Sequence, residues 1–170
     1  AANGCFTSKS KQIFVEPKPT ITPVSDVFSG CPPLVVNFSD TTNTSNYLWD
    51  FDDGTSGIGS SPQHTYTTPG NYVVEVIGYN ASGFCSDTGF INIVVHPQPN
   101  ASFNVSNQNF CGLPANLNTT NTSTGGTIYN WSLGNGTQST LLQPSTTYSQ
   151  TGQYLVKLVT SNQFQCIDSA

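Results

Sequence analysis

Polar and apolar residues alternate along most of the chain, or apolar residues run for five to nine positions between turn residues, and no segment has the 3.6-residue period of a helix. Turn residues such as Asp52-Asp53-Gly54 and Pro69-Gly70-Asn71 separate these runs. Short strands joined by such turns, about seven in roughly 80 residues, are typical of an immunoglobulin-like sandwich. The pattern predicts strands at about 20–24, 34–39, 46–52, 63–67, 71–80 and 88–96.

The pattern occurs more than once. Three aromatic positions recur at an interval of 82 residues: Trp49 with Trp131, Tyr66 with Tyr148, and Tyr72 with Tyr154. We expect all six to be structural. Trp49 lies on a central strand, where a tryptophan buries on the order of 200 Å². Tyr72 follows Gly70, at the place where sandwich folds have a tyrosine corner.

The repeat divides the chain into three parts. Residues 1–17 match 81–97 at an offset of 80, so this N-terminal segment is predicted to be the C-terminal strand of a preceding module. Residues 18–97, between two Pro-rich junctions, form a complete module, here the middle module. Residues 98–170, the C-terminal module, lack the last strand of the pattern. Either this is a window cut from a longer polypeptide, or copies polymerise by donating the N-terminal segment.

The composition excludes some classes of function. Only 8% of residues are charged, Lys and Arg together number four, and the net charge is -5, so the chain lacks the basic surface that nucleic acids require. No run approaches the roughly 18 apolar residues of a membrane span. Aromatic residues make up 11% of the chain, enough for packed cores.

Five cysteines are present, at Cys5, Cys31, Cys85, Cys111 and Cys166, and none has the short spacing of a zinc or redox motif. We therefore expect disulfides and an oxidising compartment. Cys31 and Cys85 are 54 residues apart, and Cys111 and Cys166 are 55 apart, which favours one bond inside each module. The partner of Cys5 would lie outside the chain.

Strand geometry favours a different pairing. Cys31 and Cys85 should lie at opposite ends of one module, about 23 Å apart for a seven-residue strand, whereas a disulfide requires roughly 4.4 to 6.8 Å between Cα atoms. Head-to-tail stacking would instead bring Cys31 close to Cys166, and Cys85 and Cys111 would then bond to neighbouring modules. Both pairings stay open at this point.

The motif Trp49-Asp50-Phe51-Asp52-Asp53-Gly54, with Tyr66, Pro69-Gly70 and Tyr72-Val73-Val74, resembles the polycystic kidney disease (PKD) domain and its WDFGDG hexamer. In the C-terminal module the hexamer reads WSLGNG. The resemblance implies a β-sandwich in an extracellular region, as a spacer or an interaction module. The Cys-bearing version with few charges is similar to repeats in large surface proteins of the Bacteroidota, including gliding-type adhesins.

Candidate chemistry is sparse. Asp50, Asp52 and Asp53 either hold calcium with further oxygen ligands or are solvated turn carboxylates. The C-terminal module has Thr146 at the position of His64. A general base that only one of the two modules contains is not a feature of the repeat, and we predict no catalysis.

Glycosylation is a further prediction, and it follows from the resemblance. The Bacteroidota O-glycosylation pattern, Asp followed by Ser or Thr and a small residue, occurs at Asp40-Thr41-Thr42 and Asp168-Ser169-Ala170. Thr41 and Ser169 are therefore candidate glycosylation sites.

These observations predict a non-catalytic, extracellular structural segment, a rod or stalk of a bacterial cell-surface adhesin or filament. Its partners would be neighbouring modules or copies of the same chain. The alternatives are a module that binds a glycan or a surface protein, and an accessory spacer of a secreted hydrolase.

Overall fold

The computed structural model describes residue 4, residues 7–42 and residues 44–170, and every regular element in these ranges is a β-strand. Cys5 lies outside the described residues. The prediction of an all-β fold built from tandem immunoglobulin-like sandwiches is confirmed.

The middle module contains eight strands in two sheets, in the orders β1-β3-β6 and β2-β8-β7-β4-β5. The strands are β1 (Val24–Ser25), β2 (Ser29–Gly30), β3 (Leu34–Ser39), β4 (Asn46–Asp50), β5 (Ser56–Ile58), β6 (Gln63–Tyr66), β7 (Gly70–Tyr79) and β8 (Ser86–Val95). The long hairpin of β7 and β8 pairs over ten residues, from Gly70 with Val95 to Tyr79 with Ser86. The short strands β2 and β5 had no signal in the hydrophobic pattern, because neither contains an alternating apolar run.

The C-terminal module repeats this order, with sheets β13-β10-β9 and β12-β11-β14-β15. Its strands are β9 (Phe103–Val105), β10 (Ala115–Asn121), β11 (Ile128–Ser132), β12 (Gln138–Ser139), β13 (Ser145–Tyr148), β14 (Lys157–Ser161) and β15 (Ile167–Ser169). The β14 and β15 hairpin has the register of the corresponding part of β7 and β8, but it is much shorter.

One hydrophobic cluster fills the middle module between its two sheets. Alternation along β8 sends Ile91, Ile93 and Val95 into this core, while the residues between them face outward. Trp49 is fully buried, packs against Phe38 with ring centroids 5.5 Å apart, and donates a hydrogen bond to the Gly59 carbonyl at 2.8 Å. β8 therefore contributes three buried side chains to this single core.

The core of the C-terminal module is divided into two small clusters. One contains Ala115, Leu117 and Tyr148, and the other contains Trp131, Leu133 and Leu158. The structure has no counterpart of the second half of β8 in this module among the described residues. Val156, which is only partly buried, is packed against both clusters.

For the N-terminal segment, the assignment as the C-terminal strand of a preceding module stays a prediction. In its described part, residue 4 and residues 7–17, it forms no strand, and the side chains of Ile13, Phe14 and Val15 are 84%, 77% and 92% exposed. A strand needs a hydrogen-bonded neighbour, and the described residues offer none to this segment.

Candidate functional site at the junction of the modules

A disulfide joins the two modules. Cys31, which follows β2 in the middle module, is bonded to Cys166, which lies between β14 and β15 of the C-terminal module. Their Cα atoms are 5.4 Å apart, although the two residues are separated by 135 positions in sequence. Of the two pairings that the sequence left open, the structure has the one between modules. Cys85 and Cys111, expected in disulfides, have free thiols, partly exposed in Cys85 and exposed in Cys111.

An aromatic stack lies beside this bond. The ring of His96, just after β8, stacks on the ring of Phe164 from the C-terminal module, with centroids 3.9 Å apart and planes 4° from parallel. Gln98 donates a side-chain hydrogen bond to the Ile167 carbonyl at 2.9 Å. Together with the disulfide, these contacts hold the β14 and β15 loop against the connection between the modules.

Asn162 organises the loop that carries Cys166. It is 7% exposed, and its amide oxygen accepts hydrogen bonds from the backbone N–H groups of Phe164 and Cys166. Its amide nitrogen donates to the Pro97 carbonyl at 2.7 Å. One buried side chain therefore fixes both the loop conformation and its contact with the connecting segment.

A similar arrangement occurs at the other end of the middle module. The amide oxygen of Asn80 accepts a hydrogen bond from the Cys85 N–H, and its amide nitrogen donates to a carboxylate oxygen of Glu16. Lys18 forms an ion pair of 2.6 Å with Asp87. The hydrogen bond from Lys18, with that from the Ile21 N–H, holds the pKa of Asp87 below its usual value. The junction contacts are thus repeated along the chain.

Sequence reasoning missed His96, Phe164 and Asn162. The recurrence of Asn80 as Asn162, at the same 82-residue interval as the core aromatics, was an available signal. No sequence signal pointed to Phe164 and His96, because their role depends on a contact between modules rather than on a pattern within one module.

The six predicted core aromatics donate equivalent hydrogen bonds in both modules. Trp49, Tyr66, Trp131 and Tyr148 are buried, whereas Tyr72 and Tyr154 are partly buried. The hydroxyls of the two partly buried tyrosines donate to the carbonyls of Thr68 and Gln150, each four residues upstream. Burial raises the pKa of Tyr66 and of Tyr148.

The aspartates of the candidate calcium site are engaged in the turn itself. Asp50 accepts a hydrogen bond from the Asp52 N–H, and Asp52 accepts one from the Val73 N–H at 2.8 Å. Asp52 has a φ of 62°, in the left-handed region that favours glycine, and the hydrogen bond to Val73 stabilises it there. The described part of the chain contains no group of three His, Cys, Asp or Glu side chains arranged to hold a metal ion. Calcium binding here stays a prediction, which calorimetric titration with calcium would test.

His64 is part of a structural pair. Its Nε2 lies 2.7 Å from a carboxylate oxygen of Asp53, and its ring stacks on Phe51 at 4.2 Å. Partial burial acts to raise the pKa of Asp53, but hydrogen bonds from Thr55 and His64 outweigh it, and the pKa lies below its usual value. The equivalent pair in the C-terminal module is Asn135 with Thr146, 3.0 Å apart. Both members change together and stay bonded, so in each module the pair joins the turn after β4 or β11 to the strand β6 or β13.

The candidate glycosylation residues Thr41 and Ser169 are both exposed. Thr41 follows Asp40, a buried carboxylate that accepts hydrogen bonds from the N–H groups of Thr22 and Thr42. Asp168 accepts one from the Ala101 N–H at 2.8 Å. The aspartate of each candidate sequence therefore has a structural role of its own, and modification of Thr41 and Ser169 stays a prediction.

Comparison with known proteins points to one family. The sequence profile of the PKD domain matches the chain twice, over residues 14–95 and 96–170. A stretch of 35 residues, 20% of this chain, is 51% identical to human polycystin-1-like protein 1, and the match covers 1% of that protein.

Two solved structures are similar over part of the chain. The PKD1 domain of the Vibrio cholerae metalloprotease PrtV is 28% identical with a TM-score of 0.41, over 48% of this chain and 100% of that one. The PKD domain of the human VPS10 domain-containing receptor SorCS2 is 21% identical with a TM-score of 0.38, over 58% and 96%. Within the described residues, no helix is long and apolar enough to cross a membrane.

Proposed function

Since the chain belongs to the PKD domain family, we propose that it is a non-catalytic structural segment that holds successive modules in line, as part of an extracellular rod or stalk. PKD domains are typically extracellular structural or binding modules, and they are generally non-catalytic. The disulfide between Cys31 and Cys166 is the observation that carries the proposal, because it lies between the modules rather than within one.

The contacts at the junction restrict bending and twisting. Two modules joined only by a short Pro-containing linker would still rotate about it. Here the disulfide, the stack of His96 on Phe164 and the hydrogen bond of Asn162 to Pro97 fix the linker at separate points. Several fixed points leave one relative orientation, which is what a rod requires.

The finer role that we propose is a segment of a bacterial cell-surface adhesin or filament. Two features support it. A disulfide is favoured outside the cell, where thiols are not kept reduced. A chain in which only 8% of the residues are charged attracts few charged partners unspecifically.

Solution scattering tests the rod. The chain with Cys85 and Cys111 both replaced by Ser keeps the junction disulfide, and we expect a narrow, elongated distance distribution. The matched variant with Cys31 and Cys166 replaced by Ser should give a broader distribution with a smaller mean end-to-end length. Equal distributions in the two variants would show that the disulfide does not set the geometry, and the rod proposal would fail.

Surface display needs a second test. Proteinase K added to intact cells that make the full polypeptide should remove the modules, and an intracellular marker should survive. A glycan array that showed binding abolished by loop substitutions would favour the binding module instead, and a catalytic domain in the flanking gene sequence would favour the hydrolase spacer.

A further inference from the structure

We propose that two copies of this chain associate side by side. The outer face of the larger sheet in the middle module binds the equivalent face of the C-terminal module of a second copy, with Lys157 of that copy against Asp50 and Glu75. The inference concerns lateral association and does not depend on the proposed rod. It follows from two neighbouring carboxylates, the exposed apolar side chains beside them and a reversal of charge between the modules.

The outer face of the middle module is the side of the sheet β2-β8-β7-β4-β5 that is turned away from the core. Alternation along β4 and β7 sends Trp49 and Val74 into the core, so the residues on either side of them point outward. Three outward apolar side chains form a row across the sheet, with Leu48 paired to Ile77 on one side and to Ile58 on the other. Leu48 and Ile58 are 46% and 79% exposed, so this row is open to a partner.

Two carboxylates lie in the next row of the outer face. Asp50 on β4 is directly opposite Glu75 on β7, and Phe90, which is 62% exposed, is opposite Glu75 on β8. Like charges at directly opposite positions of a sheet repel each other. The ion pairs found among the described residues involve neither carboxylate. A cation from a partner would therefore relieve the repulsion.

The C-terminal module has a lysine at this place. At the interval of 82 residues, Glu75 corresponds to Lys157 and Asp50 to Ser132. The register is the same, since Lys157 is opposite Ser132 as Glu75 is opposite Asp50. Lys157 is exposed, and strand alternation alone sets the direction of its side chain. The equivalent point of the two outer faces thus has opposite charge.

The apolar positions match as well. Glu75 and Ile77 are two residues apart on β7, and Lys157 and Val159 are two residues apart on β14, so each charge lies roughly 7 Å from an apolar side chain of the same face. With the two sheets face to face and β14 of the second copy laid along β7, Lys157 meets the carboxylates while Val159 meets the row of Leu48. One orientation therefore forms both contacts.

The distribution of charge selects this pairing over the others. Residues 18–97 contain seven Asp and Glu residues and one Lys, whereas residues 98–170 contain one Asp and one Lys. Two middle modules face to face would bring four carboxylates together, and two C-terminal modules would bring two lysines together. Only the mixed pair is complementary, and complementary charges steer and select a partner. Since the ion pairs among the described residues of one copy do not include Lys157, the contact requires a second copy.

Sedimentation velocity tests the association. The full chain, with Cys5, Cys85 and Cys111 replaced by Ser to prevent disulfides between copies, is measured from about 1 to about 200 μM, the range of weak specific association. We expect oligomers that grow with concentration at an ionic strength of about 0.05 M. About 0.5 M NaCl should weaken them, because the charges lie at an open surface and are screened.

Reversal of the charges tests the partner. Glu75→Lys and Lys157→Glu should each weaken association at least about twentyfold, because each sets like charges against each other. The chain with both substitutions has the pair in the opposite sense and should recover to within about fivefold of the parent chain. The matched control is Asp26→Lys, which changes the net charge by the same amount beside the other sheet and should associate like the parent chain.

Three outcomes would overturn the proposal: a monomer at every concentration, equal weakening by Glu75→Lys and Asp26→Lys, or no recovery when the two reversals are combined. A chain that stays monomeric but binds tetralysine, and loses this binding in the Glu75→Lys variant, would show that the face takes a different cationic partner. Circular dichroism checks that the variants are folded. The scattering test of the rod stands apart, because it compares two variants with identical outer faces and is run at about 0.5 M NaCl, where lateral association is weak.

Discussion

The middle and C-terminal modules have closely similar strand orders, but their cores differ. In the middle module twelve buried side chains form one cluster, whereas the C-terminal module has two clusters of three. The tryptophans, the tyrosines and their hydrogen bonds are the same in both. The shared aromatics therefore do not account for the difference between the cores, whereas Ile91, Ile93 and Val95 of β8 have no counterpart among the described residues of the C-terminal module.

A second difference lies inside the first sheet. Phe38, 1% exposed, contacts Trp49 and Phe51 in the middle module. The strand register puts Thr119 at the same place in the C-terminal module, where its hydroxyl donates to the Pro144 carbonyl at 2.7 Å. In the C-terminal module the aromatic contact to the tryptophan comes from Phe103 on β9, whose ring centroid lies 5.1 Å from that of Trp131.

Phe38→Thr introduces the residue of the C-terminal module into the middle module. We expect the free energy of unfolding of the middle module to fall by about 3–5 kcal/mol, the cost of removing a buried phenylalanine. The chain has two tryptophans, one in each module, so urea unfolding followed by fluorescence in a Trp131→Phe background reports on the middle module alone. Val35→Thr, on the same strand but exposed, is the control and should change stability by no more than about 0.5 kcal/mol. Equal effects of the two substitutions would show that Phe38 does not support the core.

Ile93→Ala removes the central apolar side chain of the last strand. Ile93 is fully buried, and we expect a loss of about 2–5 kcal/mol in the middle module. Hydrogen exchange should show weaker protection of the Val74 amide, because this part of β7 would then resemble the corresponding residues 152–156, which form no strand. Asn92→Ala, on the outer face of the same strand, should leave both measurements unchanged. A loss below about 1 kcal/mol would mean that the last strand does not support the core.

The smallest predicted effect concerns acid. The pKa of Asp53 is lowered in the folded chain, so its stabilising contribution is present above the unfolded value of about 3.9 and is lost as pH falls through the folded pKa. Asp53→Asn should make unfolding of the middle module less sensitive to pH between about 5 and 2.5. Because the side chain is partly exposed, the difference should not exceed about 1 kcal/mol. An unchanged pH dependence would show that Asp53 does not contribute to the loss of stability in acid. The C-terminal module has Asn135 at this position, which does not titrate, so it lacks this contribution to the pH dependence of unfolding.

The sequence predicts much of this fold because its signals are local. Alternation along β3, β4, β7 and β8 located these strands within two residues, and the recurrence of Trp49 and Tyr66 predicted the second module. The short strands β2 and β5 were not predicted, because they form only where neighbouring strands supply hydrogen-bond partners. The N-terminal segment shows the reverse. It has the alternation of a strand, yet Ile13 and Val15 remain exposed in the absence of a neighbour.

The junction could be predicted only in part. The length of a strand made a bond of Cys31 to Cys85 unfavourable and suggested Cys166 as the partner, but equal spacing argued the other way. Which of the two pairings forms depends on how two modules pack against each other, and the periodic pattern of the sequence contains no information on that packing. The replacement of Gly by Asp52 in the hexamer was visible, but its reason, the hydrogen bond to the Val73 N–H that accompanies a left-handed backbone, required coordinates.

The disulfide also determines which parts of the chain carry tension. When the two ends are pulled, force passes from Cys31 directly to Cys166 through covalent bonds, and the chain between them, spanning a sequence separation of 135, is bypassed. That bypassed length corresponds to roughly 450–490 Å of extended polypeptide that stays hidden until the bond is reduced. Trp49 and Trp131 both lie within it. A stalk built this way would transmit a load without unfolding its cores, and reductant would change it from an inextensible tether into a long elastic one.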